Sequence, residues 1–471
     1  MEPTLAWYSM LPFATMLVAI AVLPLLPATQ HWWERIRNQL LVALVLGVPV
    51  AAWMFALFGG LTVAEALVEY SQFIILLAAL FTISGGIHLA GDLPATPRVN
   101  GTFLAIGALI ASFIGTTGAA MLLIRPLLKT NSERSTKAHT VVFFIFTVAN
   151  SGGLLTPLGD PPLFLGFLRG VPFTWTFHLF PEWLFVNIFV VATYLALDKV
   201  MYQREDPGDI SRDMEQTVPL RVLGKINFLF LLVVVLSVAF VPSLDMHAIE
   251  QGQASWALWV PWREIVMISA MAGSLIFGST RVRYHDNEFS WDPILEVAAL
   301  FIGIFLTMIP ALKVLAQVAP KLPLNDVTFF IFTGGLSSVL DNAPTYATFF
   351  EMAQALQTGS DATNLVAGVD PSHLTAISLG AVFCGALTYI GNGPNFMVKA
   401  VAEGDGVKMP SFGGYALWAF TWLAPILVAM TFLFIAGQWW AKVIGAVLTV
   451  LLVVRIWAVA NNKSHTAPPV R

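Results

Sequence analysis

Gly153-Leu-Leu-Thr-Pro-Leu-Gly-Asp-Pro-Pro-Leu-Phe164 and Gly385-Ala-Leu-Thr-Tyr-Ile-Gly-Asn-Gly-Pro-Asn-Phe396 carry one pattern twice, 232 residues apart. Six of the twelve positions are identical, and Asp160 falls against Asn392. Each copy lies in an apolar run that Gly and Pro interrupt. In hydrocarbon every freed backbone group costs several kcal/mol, so such breaks survive only inside protein or beside a wet cavity. Upstream, Thr102-Phe103 and Ser112 correspond to Thr328-Phe329 and Ser338 at an offset of 226, which sets Thr116 against Asn342. Interrupted helices at matching positions of two repeats point to a secondary transporter, with its site between the copies near the bilayer midplane.

The composition agrees with a membrane setting. Of 471 residues 57% are hydrophobic and 11% charged, against about 25% charged in soluble domains. Mean hydropathy is +0.77. The net charge of −4 and the lack of a basic run exclude a nucleic-acid binder. One cysteine, Cys384, excludes a disulfide framework. No cleavable signal is expected, because Met1 to Trp7 lacks a positive leader.

Thirteen apolar segments approach the roughly 20 residues that cross a bilayer. Cytoplasmic loops should be the basic ones. If all thirteen crossed, the loop 125–137 with Arg125, Lys129, Arg134 and Lys137 would lie outside. It returns to the cytoplasm if 101–124 is a re-entrant hairpin. A second hairpin at 326–350 keeps the acidic loop 351–370, with Glu351, Asp361 and Asp370, outside. The expectation is an all-α polytopic membrane protein of about eleven spans and two hairpins. Its N-terminus is outside and its C-terminus, with Arg455, Lys463 and Arg471, in the cytoplasm. Lys313 and Lys321 on an outside loop fit this poorly. The first repeat covers 1–198 (hairpin about 101–124, broken helix about 140–165), and a cytoplasmic linker covers 199–225. The second covers 226–436 (hairpin about 326–350, broken helix about 374–398), and 437–471 form an extra helix and tail. Five crossings per copy invert the second relative to the first.

Broken ends of this kind present carbonyls, hydroxyls and amides, which are oxygen ligands for a hard cation. Asp160 and Asp341 add carboxylates at the membrane interior, where an acid is functional by default. Low dielectric favours a neutral carboxyl and a bound cation favours the ionised one, so one group can carry either H+ or Na+. Asp160 could instead be a plain N-cap before Pro161, and Asp341 a water-reached hairpin tip. Thr116, Thr117, Thr156, Gly159, Asn342, Thr388, Asn392 and Asn395 complete the candidate cation/proton site. Asn150, Ser151 and Glu296 are secondary candidates. A mid-membrane Thr can also simply bond its own helix.

At these residues the chain resembles a known family. Thr116-Thr117-Gly-Ala-Ala-Met, Thr156-Pro-Leu-Gly-Asp-Pro-Pro, Leu340-Asp-Asn-Ala-Pro and Tyr389-Ile-Gly-Asn-Gly-Pro-Asn resemble NhaD-type sodium/proton antiporters. These belong to the ion transporter superfamily of arsenite pumps and dicarboxylate/sodium symporters. The resemblance implies export of Na+, and Li+ too, against H+ by an elevator-like movement. It also implies a homodimer in the inner (plasma) membrane, no cofactor, and site positions Thr116, Thr117, Asp160, Asp341, Asn342, Asn392 and Asn395. The alternative is an anion carrier of the superfamily, for arsenite or a dicarboxylate. An acid at a hairpin tip argues against that, since it repels an anion.

Other residues have bland readings. His88 and His139 sit at expected interfaces, Glu65 and Glu69 share an outer helix face, and Arg125 snorkels to headgroups. Arg169 could pair with Asp160 or cap a loop. The fifteen Trp cluster near span ends as an aromatic belt. His178 and Glu182 are too little for an enzyme site.

Overall fold

The computed structural model describes residues 4–24, 26–250, 252, 255–357 and 364–461. Asp361, Lys463 and Arg471, used in the charge argument above, lie outside these. Eight described helical segments are long and apolar enough to cross a membrane: Ile36–Phe58, Gly60–Ser84, Pro97–Ile114, Ala138–Leu155, Phe173–Tyr202, Asp292–Lys321, Phe412–Ile435 and Trp439–Asn461. Of these, Pro97–Ile114 is the first arm of the expected first hairpin, and the chain folds back immediately after it. The other seven, with the shorter helices Trp7–Val22, Ile226–Phe240, Pro371–Leu387 and Trp262–Phe277, fill the eleven expected places. This is an all-α polytopic membrane protein.

Both hairpins form. Pro97–Ile114 and Thr116–Thr130 meet at Gly115, whose φ of +83° is open to glycine at little cost. Gly107 packs on Leu123, so positions equidistant from Gly115 touch and the arms are antiparallel. Asp326–Ser337 and Asn342–Gln357 make the second hairpin, with Phe329 edge-on to Phe349 at 6.5 Å. Both are longer than the apolar runs suggested: the first begins at Pro97 and ends at Thr130, and the second begins at Asp326 as expected but runs on to Gln357.

Each broken span is a helix, a short 3₁₀ turn, an extended break and a second helix. The first runs Ala138–Thr147, Ser151–Leu155 and Pro161–Leu168; the second runs Pro371–Cys384, Gly385–Leu387 and Gly393–Gly404. The breaks are held alike. Thr156 Oγ1 donates to the Ser112 carbonyl of the first hairpin, and Thr388 Oγ1 donates to the Ser338 carbonyl of the second, at 2.5 Å. The same hydroxyls accept from Leu158 N at 3.1 Å and Ile390 N at 3.2 Å. A Cβ at Gly159 or Gly391 would collide with the Gly153 or Gly385 carbonyl, at 2.1 and 2.5 Å. Gly is therefore required at both by close approach.

Two features depart from an all-helical plan. Strands β1 (His88–Asp92) and β2 (Val218–Leu223) pair antiparallel, so the linker folds back on the end of the third span. The linker also carries the helix Pro207–Glu215, capped by Asp206. One apolar cluster joins both halves of the chain. At its edge is a buried polar knot: Asp198 meets Arg134 at 2.7 Å, His139 at 2.8 Å and the Tyr194 hydroxyl at 3.0 Å.

Candidate functional site

Asp160 is the N-cap of Pro161–Leu168, as the Asp-Pro-Pro run predicts, but its side chain does not cap that helix. It turns to the two hairpins and the other broken span. Its Oδ1 accepts from Thr116 Oγ1 at 3.0 Å and Asn392 Nδ2 at 3.2 Å; its Oδ2 accepts from Asn342 Nδ2 at 2.6 Å. The repeat explains this convergence. Thr116 and Asn342 correspond to each other and bind the two oxygens of one carboxylate, while Asn392 corresponds to Asp160 itself. Both Asp160 and Asn392 have extended backbones (φ −142° and −154°), which aim their side chains across the pseudo-symmetric interface.

Four helices begin at this point: Thr116–Thr130, Asn342–Gln357, Pro161–Leu168 and Gly393–Gly404. Their N-terminal dipoles favour negative charge. Asp160 is 1% exposed, and its hydrogen-bond partners are all uncharged. Among the described residues, the charged group that acts on it is another acid, Asp341. A buried carboxylate without a counter-ion carries a desolvation cost of several kcal/mol. A proton or a cation removes that cost. Beside it, Asn342 Oδ1 is buried and accepts no hydrogen bond, an unused oxygen next to the carboxylate. Carbonyls, hydroxyls and amides were the expected ligands; the hydroxyl and amides are at Asp160 as donors, and Asn342 Oδ1 is the free acceptor beside them.

The remaining candidates sort by position. Asn150 donates to Asn395 Oδ1 at 2.6 Å and accepts from Asn392 at 3.3 Å, so it links both halves of the second break to the first. Asn395 also ties down the Gly385 and Thr388 carbonyls, at 2.9 and 3.0 Å. Thr156, Thr388 and Gly159 shape the breaks; none donates to the Asp160 carboxylate, and the Gly159 carbonyl accepts from Thr116 N at 2.8 Å. Asp341 is half-buried at the second hairpin tip, and its Oδ1 accepts from Ala343 N at 3.0 Å, a cap on its own helix. Thr117 is half-buried and is not among the partners of Asp160. Ser151 turns away to Asn187 at 2.8 Å. Glu296 accepts from Gln39 at 2.7 Å, between two long spans. Arg169 does not reach Asp160. It bridges Glu69 at 3.5 Å and Glu351 at 3.4 Å.

Ser112 was aligned by the repeat but not proposed for the site. It holds the first break from both sides, donating to the Gly152 carbonyl at 2.5 Å and accepting from Leu155 N at 3.2 Å. Its match with Ser338 was the available signal.

Comparison with known proteins follows the same line. An uncharacterized transporter of Mycobacterium bovis and one of Mycobacterium tuberculosis are each 25% identical over 353 residues, covering 72% of this chain and 76% of theirs. Residues 2–435 match the family CitMHS_2, described as "Putative citrate transport". That match names a transporter family without the narrower NhaD-type branch. With nearly its whole length matched, the chain belongs to the CitMHS_2 family of membrane transporters.

Proposed function

We propose that the protein is a secondary transporter in which Asp160 holds a proton and a monovalent cation in turn, exchanging Na+ or Li+ for H+. The observation that carries this is the environment of Asp160: buried, bonded to uncharged donors only, and next to the free Asn342 Oδ1. Only a proton or a cation completes such a group. The recurrence of the same hydrogen bonds in both breaks supports an inverted repeat, and with it alternating access. In the cycle Asp160 loses its proton on the cytoplasmic side and takes Na+, and the hairpins and breaks move against the long spans. Protons then displace the ion outside. Thr116, Asn342 and Asn392 orient the carboxylate throughout. The setting is the plasma membrane, N-terminus outside and C-terminus in the cytoplasm, with the chain as a homodimer and without a cofactor.

The family description favours a second reading, citrate transport, and the four helix N-termini are compatible with an anion. Asp160 and Asp341 oppose it. Two like charges 4 Å apart repel by about 4 kcal/mol at an effective dielectric of about 20, so a tricarboxylate would have to arrive with cations. Proteoliposomes holding a pH gradient separate the two. Exchange predicts that Na+ or Li+ collapses the gradient and that labelled citrate stays outside. Citrate accumulation without cation-dependent proton movement would overturn the proposal.

A further inference from the structure

We propose that an anionic phospholipid occupies a built groove beside the first hairpin, with its acyl chain inside and its phosphate on Arg98. The groove is open on one side and has a volume of about 650 Å³. Its walls are Ile106, Leu109 and Phe113 from the outer face of Pro97–Ile114, Leu123 from the returning arm, and Leu220 and Val222 from β2. Ile106, Leu109 and Phe113 are each at least 40% exposed, a stripe along one helix face that lines the groove. Strand β2 forms a roof that an ordinary lipid-facing helix lacks. A cavity this apolar offers water no partners, so in a bilayer hydrocarbon fills it.

Charge selects the headgroup. Arg98 lies at the mouth, exposed, and makes no ion pair with any described residue. It begins the hairpin at the membrane surface. From Arg98 to Phe113 the helix runs about 22 Å, more than the roughly 15 Å of hydrocarbon in one leaflet. One chain with its phosphate at Arg98 therefore fits lengthwise. Basic residues at this level attract anionic lipid by about 1 kcal/mol each, a factor of about five in occupancy. The groove lies between the outer face of the first hairpin, which carries Thr116, and β2, so its occupant touches the element proposed to move. This is independent of which ion Asp160 binds.

Full-length protein in nanodiscs, labelled with a phosphatidylglycerol bearing a diazirine in its tail, tests this. Labels should concentrate on peptides covering 98–123 and 220–228. Unlabelled phosphatidylglycerol should compete about fivefold better than phosphatidylcholine, and Arg98→Gln should erase that preference. Ile106→Trp should fill the groove and remove the label; if that variant does not fold, the exposed Arg98→Gln still decides the headgroup. Even labelling of all lipid-facing helices, equal competition by both lipids, or an unchanged preference in Arg98→Gln would overturn the proposal. So would the groove being covered by a second copy of the chain, seen as chain-to-chain crosslinks without lipid label.

Discussion

Asp160→Asn removes the carboxylate charge of the site and leaves its shape. The new side chain would meet three donors, Thr116 Oγ1 at 3.0 Å, Asn392 Nδ2 at 3.2 Å and Asn342 Nδ2 at 2.6 Å from the present oxygens. With the new amide nitrogen in the Oδ2 position, the Asn342 amide can turn over so that its unused Oδ1 accepts from it, and folding should survive. Removing a buried, unpaired charge is neutral or stabilising, and the thermal midpoint should hold or rise. The cation, in contrast, loses its counter-charge. Removing one partner of a buried pair costs about 3–5 kcal/mol, so cation affinity should fall by roughly two to four decades. The assay is Na+-dependent quenching of the intrinsic tryptophan signal in purified protein, run beside proton flux in proteoliposomes. Wild-type-like affinity, within threefold, in a stable Asp160→Asn protein would refute the reasoning.

Further outcomes follow from other contacts. Asp341 caps its own helix, so Asp341→Asn, which still accepts from Ala343 N, should keep most cation affinity, and Asp341→Ala should lose about 1 kcal/mol of hairpin stability; equal loss of binding in both would make Asp341 a ligand. Arg169→Gln removes two part-exposed pairs, to Glu69 and Glu351, each contributing up to about 1 kcal/mol. Its flux assay should show an altered turnover with an apparent KM within twofold, and a tenfold KM shift would contradict this. Glu205 lies just past the span Phe173–Tyr202. Burial alone would raise its pKa, but Ser135, Thr136 and Arg134 hold it below the usual range. Its contribution is thus full above the unfolded value of about 4.3 and is lost as pH falls through the lower folded value. Glu205→Gln should lower the thermal midpoint at pH 7, with the gap to wild type closing below about pH 4.

The breaks and hairpins were legible because Gly and Pro in apolar segments have few structural explanations, and because the pattern occurs twice. The backbone at Asp160 followed from Asp before Pro-Pro. Its side-chain direction did not, since the local capping rule lost to three donors brought in by tertiary folding. Asn150 was weakly legible for a related reason: its position in the second copy is Val382, so the repeat pointed away from it. The Arg134–His139–Asp198 knot joins residues up to 64 positions apart, and no periodicity marks it. Strand β2 was hidden in the polar linker, because only its pairing with β1 makes it a strand. The broken repeats led to the transporter class, the resemblance to sodium/proton antiporters added the cation expected as cargo, and the proposed cargo rests on Asp160.

The central claim is that one carboxyl is shared between a proton and a cation. Purified protein in weakly buffered detergent solution with a pH dye, given NaCl against a choline chloride control, measures this directly. The account predicts release of about one proton per chain on Na+ binding in the wild type and none in Asp160→Asn. Saturable Na+ binding without proton release, or equal release from the variant, would contradict it.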